Sequence, residues 1–430
     1  MTEHILVVPG GRPLTGTVAV PGDKSISHRA LLLAAVAEGT SVVRGLSDGD
    51  DVARTAAAVT ALGAAIDGPR ITGGSDMVRA PSGPLDMGNS GTTIRLLAGL
   101  LAGWDMTVVM GGDDSLSTRP MDRVAVPLRL MGADVSGTGE RCLPPLTVRG
   151  AALHGIDYSP PMASAQVKSC VLLAGLRAEG ETVVRERVPT RLHTEEMLAL
   201  CGADVRVDDV DGTHVVRVGR SILRPFEIDV PADPSQAAFW LVAGCIVPGS
   251  DVTVERLYIG PARRGFLDVL VRMGADIDER AATGPGDLAA TATVRARFGD
   301  LAATTVRADE ITGLDEVPVL AVAAARAKGT TVFSGVGELR VKESDRLQAV
   351  IEMLGAFGAT AVAEGDDLVV HGSPGLEPGA FDAGGDHRMA MAAAIAAAVA
   401  EGTGPSEISG FDSVDSSYPR FADHLAQLAT

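Results

Sequence analysis

The 430-residue chain is 46% hydrophobic, enough apolar content for two domains with cores of their own. A net charge of −18 and only 3% aromatic residues argue against a nucleic-acid surface, which needs a positive field and stacking rings. No apolar run has the length of a membrane span, and Cys142, Cys170, Cys201 and Cys245 form no C-x-x-C pair, so they read as reduced thiols.

The opening MTEHILVVPGG lacks the basic, apolar and cleavage regions of a secretory signal in series, so none is expected. One pattern then recurs six times: an apolar helix-like run, a glycine and a short strand-like stretch. The copies are HRALLLAAVAEGTSVV, TIRLLAGLLAGWDMTVV, QVKSCVLLAGLRAEGETVV, SQAAFWLVAGCIVPGSDVTV, VPVLAVAAARAKGTTVF and HRMAMAAAIAAAVAEGTGPSEI. Their turn glycines are Gly39, Gly103, Gly180, Gly249, Gly329 and Gly402. The run Met389 to Ala400 is too short to span a bilayer and reads as a buried helix. A second pattern (LGAAI, MGADV, CGADV, MGADI, FGATAV) closes an amphipathic helix with a glycine suited to a C-cap and leads into a strand.

The sixth copy of that second pattern falls at HLAQLAT, where the sequence given stops, so its missing strand is expected from residues 4–20. The chain therefore reads as an α/β protein of six β-α-β-α-β-β units, three in each of two similar domains. Residues 1–21 with 232–430 are expected to form one domain and 22–231 the other, crossing near Pro21-Gly22 and Val230-Pro231. A solenoid is the competing layout, disfavoured by the length of the repeats and the return of the termini.

Unusual residues cluster at one equivalent place, the start of each apolar helix: GDKSISHRA, GNSGTTIR, SAQVKS, DPSQAA, DEVPVL and DHRMAM. All carry Ser, Asn, Asp or Gly where an N-cap is expected. A helix start offers free N–H groups and partial positive charge, and so attracts anions. Lys24, Ser25 and Arg29 could together hold a phosphate or carboxylate; the plainer reading is a capped, charged surface helix. GDDSLSTRP supplies Arg119, and SAQVKS supplies Ser164, Gln166 and Lys168. In ELRVKESDRL, Lys342, Glu343 and Arg346 would share one helical turn if the segment is helical, beside Asp315; a carboxylate next to cations suits proton transfer. The alternative there is a solvated face with local ion pairs. His387 reads as structural. No metal-ligand or nucleotide-binding motif is present, so no metal or cofactor is expected.

Together PGDKSISHRALLLAA, GNSGTTIRLLAG, STRPMDRV, SAQVKSCVLLAGL, LDEVPVLAVAAA, ELRVKESDRL and DHRMAMA run from residue 21 to residue 392 and resemble the EPSP synthase family, in the family's order. SAQVKS and ELRVKESDR look most like its bacterial type II branch. The resemblance implies two domains of an inverted α/β barrel type, with the active site in the cleft between them. It implies transfer of an enolpyruvyl group from phosphoenolpyruvate to shikimate 3-phosphate by a cytoplasmic monomer, without nucleic-acid or membrane partners. Lys24, Ser25, Arg29, Ser164, Ala165, Gln166, Arg191, Asp315 and Lys342 would bind shikimate 3-phosphate. Lys24, Gly91, Arg119, Gln166, Arg346 and Arg388 would bind phosphoenolpyruvate. Asp315, Glu343 and Lys24 would carry the proton transfers. Inhibition by glyphosate is implied as well.

Two departures stand out. Some members carry a Lys in the segment matching DSSYPRF, where this chain has Ser416 and Ser417, so no C-terminal ligand is assigned. Ala165 replaces the second Ser of a Ser-Ser-Gln motif, leaving only its backbone to contribute. The nearest rival, a UDP-N-acetylglucosamine enolpyruvyl transferase, usually carries a reactive Cys where this chain has Asp114, and Lys-Asn in place of Lys24-Ser25. A non-catalytic repeat scaffold would account for the repeats but not for charged motifs at equivalent helix starts.

Overall fold

The computed structural model describes residues 4–282, 288, 290–311 and 313–429, so the first three residues of the opening stretch lie outside the described residues. The chain divides into two compact units, Gly22–Val230 and Met1–Pro21 with Pro231–Thr430.

In Gly22–Val230 the apolar runs form the helices Lys24–Val36 (α1), Gly91–Leu101 (α2) and Ala165–Gly175 (α3). In the other unit they form Pro234–Ile246 (α4), Val317–Arg326 (α5) and His387–Val399 (α6). A helix apolar on every side has to be enclosed. Every residue of α4 and α6 is buried, which includes most of the Met389–Ala400 run. Helices α4, α5 and α6 pack on one another.

Among the described residues the strands form six small mixed sheets, five of them four-stranded. Each four-stranded sheet has the same plan. In the first, Gly39–Arg44 pairs in parallel with Glu227–Asp229 and antiparallel with Arg70–Gly73, which pairs with Ala65–Asp67. The helix Phe421–Leu428 packs against Thr15–Val18 and buries Phe421, His424, Leu425 and Leu428, the spacing of a single helix face.

The sixth sheet has three strands, and Leu6–Val8 supplies the expected partner, antiparallel to Ser406–Ser409 with Leu6 opposite Ile408. Thr15–Val18 lies parallel to Asp251–Tyr258. Glu227–Asp229 completes the first sheet in the same manner for the other unit, a role that FEID did not announce in the sequence. The glycines of the second pattern (Gly63, Gly132, Gly202, Gly274, Gly358) all take φ between 72° and 117°, the left-handed region required of a helix C-cap. All four cysteines are free and buried. No described helix is long and apolar enough to cross a membrane.

Candidate active site

Five of the six central helices begin as the sequence suggests, with a side-chain cap. Asp23, Ser90, Ser164, Asp233 and Asp386 each accept a hydrogen bond from a first-turn N–H. The exception is α5. Its cap position is Glu316, whose carboxylate makes no cap bond and instead accepts from the Ser235 hydroxyl at 2.5 Å, with Arg263 Nη1 3.7 Å away. Pro318 in the first turn removes one N–H that would otherwise need a partner.

In Gly22–Val230 the helix starts are tied together by polar side chains. Arg29, 2% exposed, donates to Ser25 at 2.8 Å, to Thr194 at 2.7 Å and to Ser169 at 2.5 Å. It thus joins the starts of α1 and the helix His193–Leu200 to the first turns of α3. Lys24 Nζ lies 2.9 Å from Asp51 Oδ2, both mostly buried. Gln166 accepts from Arg95 at 2.9 Å and donates to Thr92 at 2.9 Å. Arg119 donates to Asn89 at 2.6 Å and to Ser115 at 3.2 Å. Gly91 sits between these arginines: a Cβ there would lie 2.8 Å from Arg95 Nη1 and 3.3 Å from Arg119 Nη1. Gly91 and Arg119 are therefore neighbours at the start of α2, and Arg95 links Gly91 to Gln166 in the first turn of α3. Ser164 and Ala165 open α3, and Arg191, partly exposed, precedes His193–Leu200.

The other unit gathers a second set. Arg346, 1% exposed, donates to both oxygens of Asp386 at 2.8 and 3.2 Å. It also contacts Glu343 at 2.6 Å and Asp315 at 3.3 Å. Arg388 Nε lies 3.6 Å from the same Asp315 oxygen. Burial by itself lowers the pKa of Arg346, but Glu343, Asp386 and Asp315 outweigh it and hold the guanidinium firmly charged. Burial likewise raises Asp386, and Arg346 outweighs it, keeping the carboxylate ionised. Asp315 is one-fifth exposed, so this carboxylate reaches solvent while flanked by two arginines.

Residues 342–346 differ from a helical turn. A 3₁₀ segment ends at Val341, Lys342 is extended, and the helix Arg346–Ala356 starts only where Asp345 caps it. The Glu343–Arg346 pair forms all the same, across the entry to the helix rather than within it. Lys342 is half-exposed and makes no ion pair among the described residues. His387 Nδ1 lies 2.9 Å from the Ser416 hydroxyl.

The model of the EPSP synthase (3-phosphoshikimate 1-carboxyvinyltransferase) family matches residues 8–425. The chain belongs to the EPSP synthase family. It is 49% identical to the 3-phosphoshikimate 1-carboxyvinyltransferase of Gloeobacter violaceus, covering 100% of this chain and 99% of that one. The enzyme of the same name from Streptococcus equi subsp. zooepidemicus is 45% identical over 97% of this chain and 98% of its own. The structure of EPSP synthase from Acinetobacter baumannii superposes with a TM-score of 0.87 at 40% identity, covering 99% and 98% of the two chains. The enolpyruvyl transferase NikO of Streptomyces tendae shares the fold, with a TM-score of 0.79 at 20% identity over 99% and 98%.

Within this EPSP synthase fold, sequence reading passed over Asp51, Arg95 and Asp386, all now beside named candidates. Arg95 follows Gly91 by four residues, a spacing that puts both on one helix face. Asp386 was visible as a cap but not as the partner of Arg346. Nothing in the acidic run around Asp51 singled it out.

Proposed function

We infer that the chain transfers the enolpyruvyl (1-carboxyvinyl) group of phosphoenolpyruvate to the 5-hydroxyl of shikimate 3-phosphate, giving 5-enolpyruvylshikimate 3-phosphate and phosphate. The reading rests on full-length family membership, and on one observation above all: Lys24 in one unit and Arg346 and Arg388 in the other lie in the first turns of their helices, each beside a carboxylate. Lys24, Ser25, Arg29, Ser164, Ala165, Gln166, Arg191 and Lys342 are assigned to shikimate 3-phosphate, Arg29 chiefly through the Ser25 that it holds. Lys24, Gly91, Arg119, Gln166, Arg346 and Arg388 are assigned to phosphoenolpyruvate.

The chemistry is addition followed by elimination. Asp315 takes the proton of the 5-hydroxyl as its oxygen attacks the central carbon of phosphoenolpyruvate. Lys24 or Glu343 delivers a proton to the methylene carbon. Phosphate then leaves from the central carbon of the tetrahedral adduct as its methyl group gives a proton back to the same residue, which restores the C=C bond of the enolpyruvyl product. Preorganised guanidinium and ammonium groups stabilise the charge that develops on the transferred group. The protein acts as a cytoplasmic monomer on small anions, with no resident metal or cofactor in its chemistry.

Asp315→Ala tests the assignment. Turnover should fall by at least a thousandfold, while calorimetric binding of shikimate 3-phosphate persists within about tenfold. Retained turnover in that variant would remove Asp315 from the mechanism.

A further inference from the structure

One charged cluster in Gly22–Val230 has no part in the chemistry above. Lys168, on α3, is completely buried. Its ammonium lies 2.8 Å from Glu186 Oε2 and 2.7 Å from Glu195 Oε1. Glu186 ends the strand Thr182–Glu186, and Glu195 lies in the first turn of His193–Leu200. Between these two carboxylates runs the loop 187–192, which carries Arg191. Glu186 holds that loop from inside as well, accepting from the Thr190 hydroxyl at 2.5 Å and from the Thr190 N–H at 3.4 Å.

His214, opposite Glu186 in the sheet, approaches the cluster with Nε2 3.8 Å from Glu195 Oε1, and its Nδ1 is 3.4 Å from Asp209. Glu186, Glu195 and His214 offer ligand atoms within 4.8 Å of one another, a donor set that a metal ion could use. The cation in contact with both carboxylates is the Lys168 ammonium. Glu195 beside His214 raises the imidazole pKa, and His214 with Lys168 outweighs the effect of burial on Glu195 and keeps it low. Protonated His214 would balance two carboxylates with two cations.

A buried ion cluster is a costly way to gain stability, and well-packed apolar side chains often do as well. What this one supplies is geometry. A single ammonium fixes both ends of a six-residue loop and ties them to α3, two residues beyond Gln166. We propose that Lys168, Glu186 and Thr190 are positioning residues that set Arg191 against the start of α3 for the phosphate of shikimate 3-phosphate. The proposal rests on the function inferred above, in which Arg191 and the α3 start share that substrate.

Thr190→Val removes the hydroxyl bond to Glu186 at nearly the same volume and leaves the longer N–H bond, and Thr190→Ser keeps both. For Thr190→Val we expect KM for shikimate 3-phosphate to rise about tenfold, with KM for phosphoenolpyruvate within twofold of the parent; Thr190→Ser should restore it. In an Arg191→Ala background, Thr190→Val should add nothing, because its effect passes through Arg191. Lys168→Met should show the same substrate selectivity if it folds, and circular dichroism decides whether it does. An unchanged KM in folded Thr190→Val, equal losses on both substrates, or full additivity with Arg191→Ala would each overturn the proposal. A parent protein that releases no phosphate from the two substrates would instead overturn the functional reading.

Discussion

Gly91 is where a missing side chain matters most. The methyl group of an alanine would press on Arg95 Nη1 at 2.8 Å, closer than such contacts allow, and on Arg119 at 3.3 Å. Both are ends of long side chains and can yield, so the fold should survive while the proposed phosphoenolpyruvate position narrows. Gly91→Ala should therefore raise KM for phosphoenolpyruvate and relieve inhibition by glyphosate by about tenfold or more, equivalent to about 1.4 kcal/mol. Inhibition curves of the variant that overlie those of the parent would place the inhibitor elsewhere. His28 gives a second test at this scale. It is wholly buried with Nδ1 2.7 Å from the Thr55 hydroxyl. Burial pushes its pKa down to about 3, Asp51 opposes this, and Lys24 and Arg29 add to the fall. The folded protein keeps His28 neutral, whereas the unfolded chain takes up a proton below about 6.5. Above that pH the group does not alter stability. Below it, stability drops by about 1.4 kcal/mol per pH unit until the folded pKa is reached. Urea titrations between about pH 6 and 4.5 should show a shallower slope for His28→Gln than for the parent; equal slopes would mean that His28 is charged when folded.

The elements follow from pattern more directly than the site does. Period-3.6 apolar runs and helix-closing glycines made the helices legible, because burial and left-handed caps leave marks in single residues. The strand Glu227–Asp229 was not legible: three residues of FEID carry no alternation long enough to read, and its pairing with Gly39–Arg44 is set by chain return rather than local preference. The extended Lys342 was missed for a related reason. ELRVKESDRL has helical composition throughout, and the cap at Asp345 decides where the helix begins. Aromatic residues are few, but they concentrate where the C-terminal helix meets α4. Phe421 stacks on Trp240 at 4.6 Å between ring centres, and the Trp240 indole donates to the Tyr418 hydroxyl at 2.9 Å. Phe421→Ala should cost about 3–5 kcal/mol, from lost burial and the cavity left behind. Denaturant unfolding that shows less than about 1 kcal/mol would mean that the helix is held by something other than this packing.

At the scale of the whole molecule, the six repeats were readable because each must enclose an apolar helix; five of them share one four-stranded sheet plan and the sixth has three strands among the described residues. Leu6–Val8 pairs with the last sheet, within the stretch 4–20 from which a strand was expected there. The candidate site was readable as a set of helix starts with cations. Its buried supports, Asp51, Asp386 and the Lys168 cluster, were not, because a carboxylate in sequence does not show which distant cation it meets. The account as a whole stands on acceptor choice. Phosphate release from phosphoenolpyruvate, measured with shikimate 3-phosphate and in parallel with UDP-N-acetylglucosamine, should proceed with the first and stay at background with the second. Release driven by the nucleotide sugar, or by neither acceptor, would contradict it.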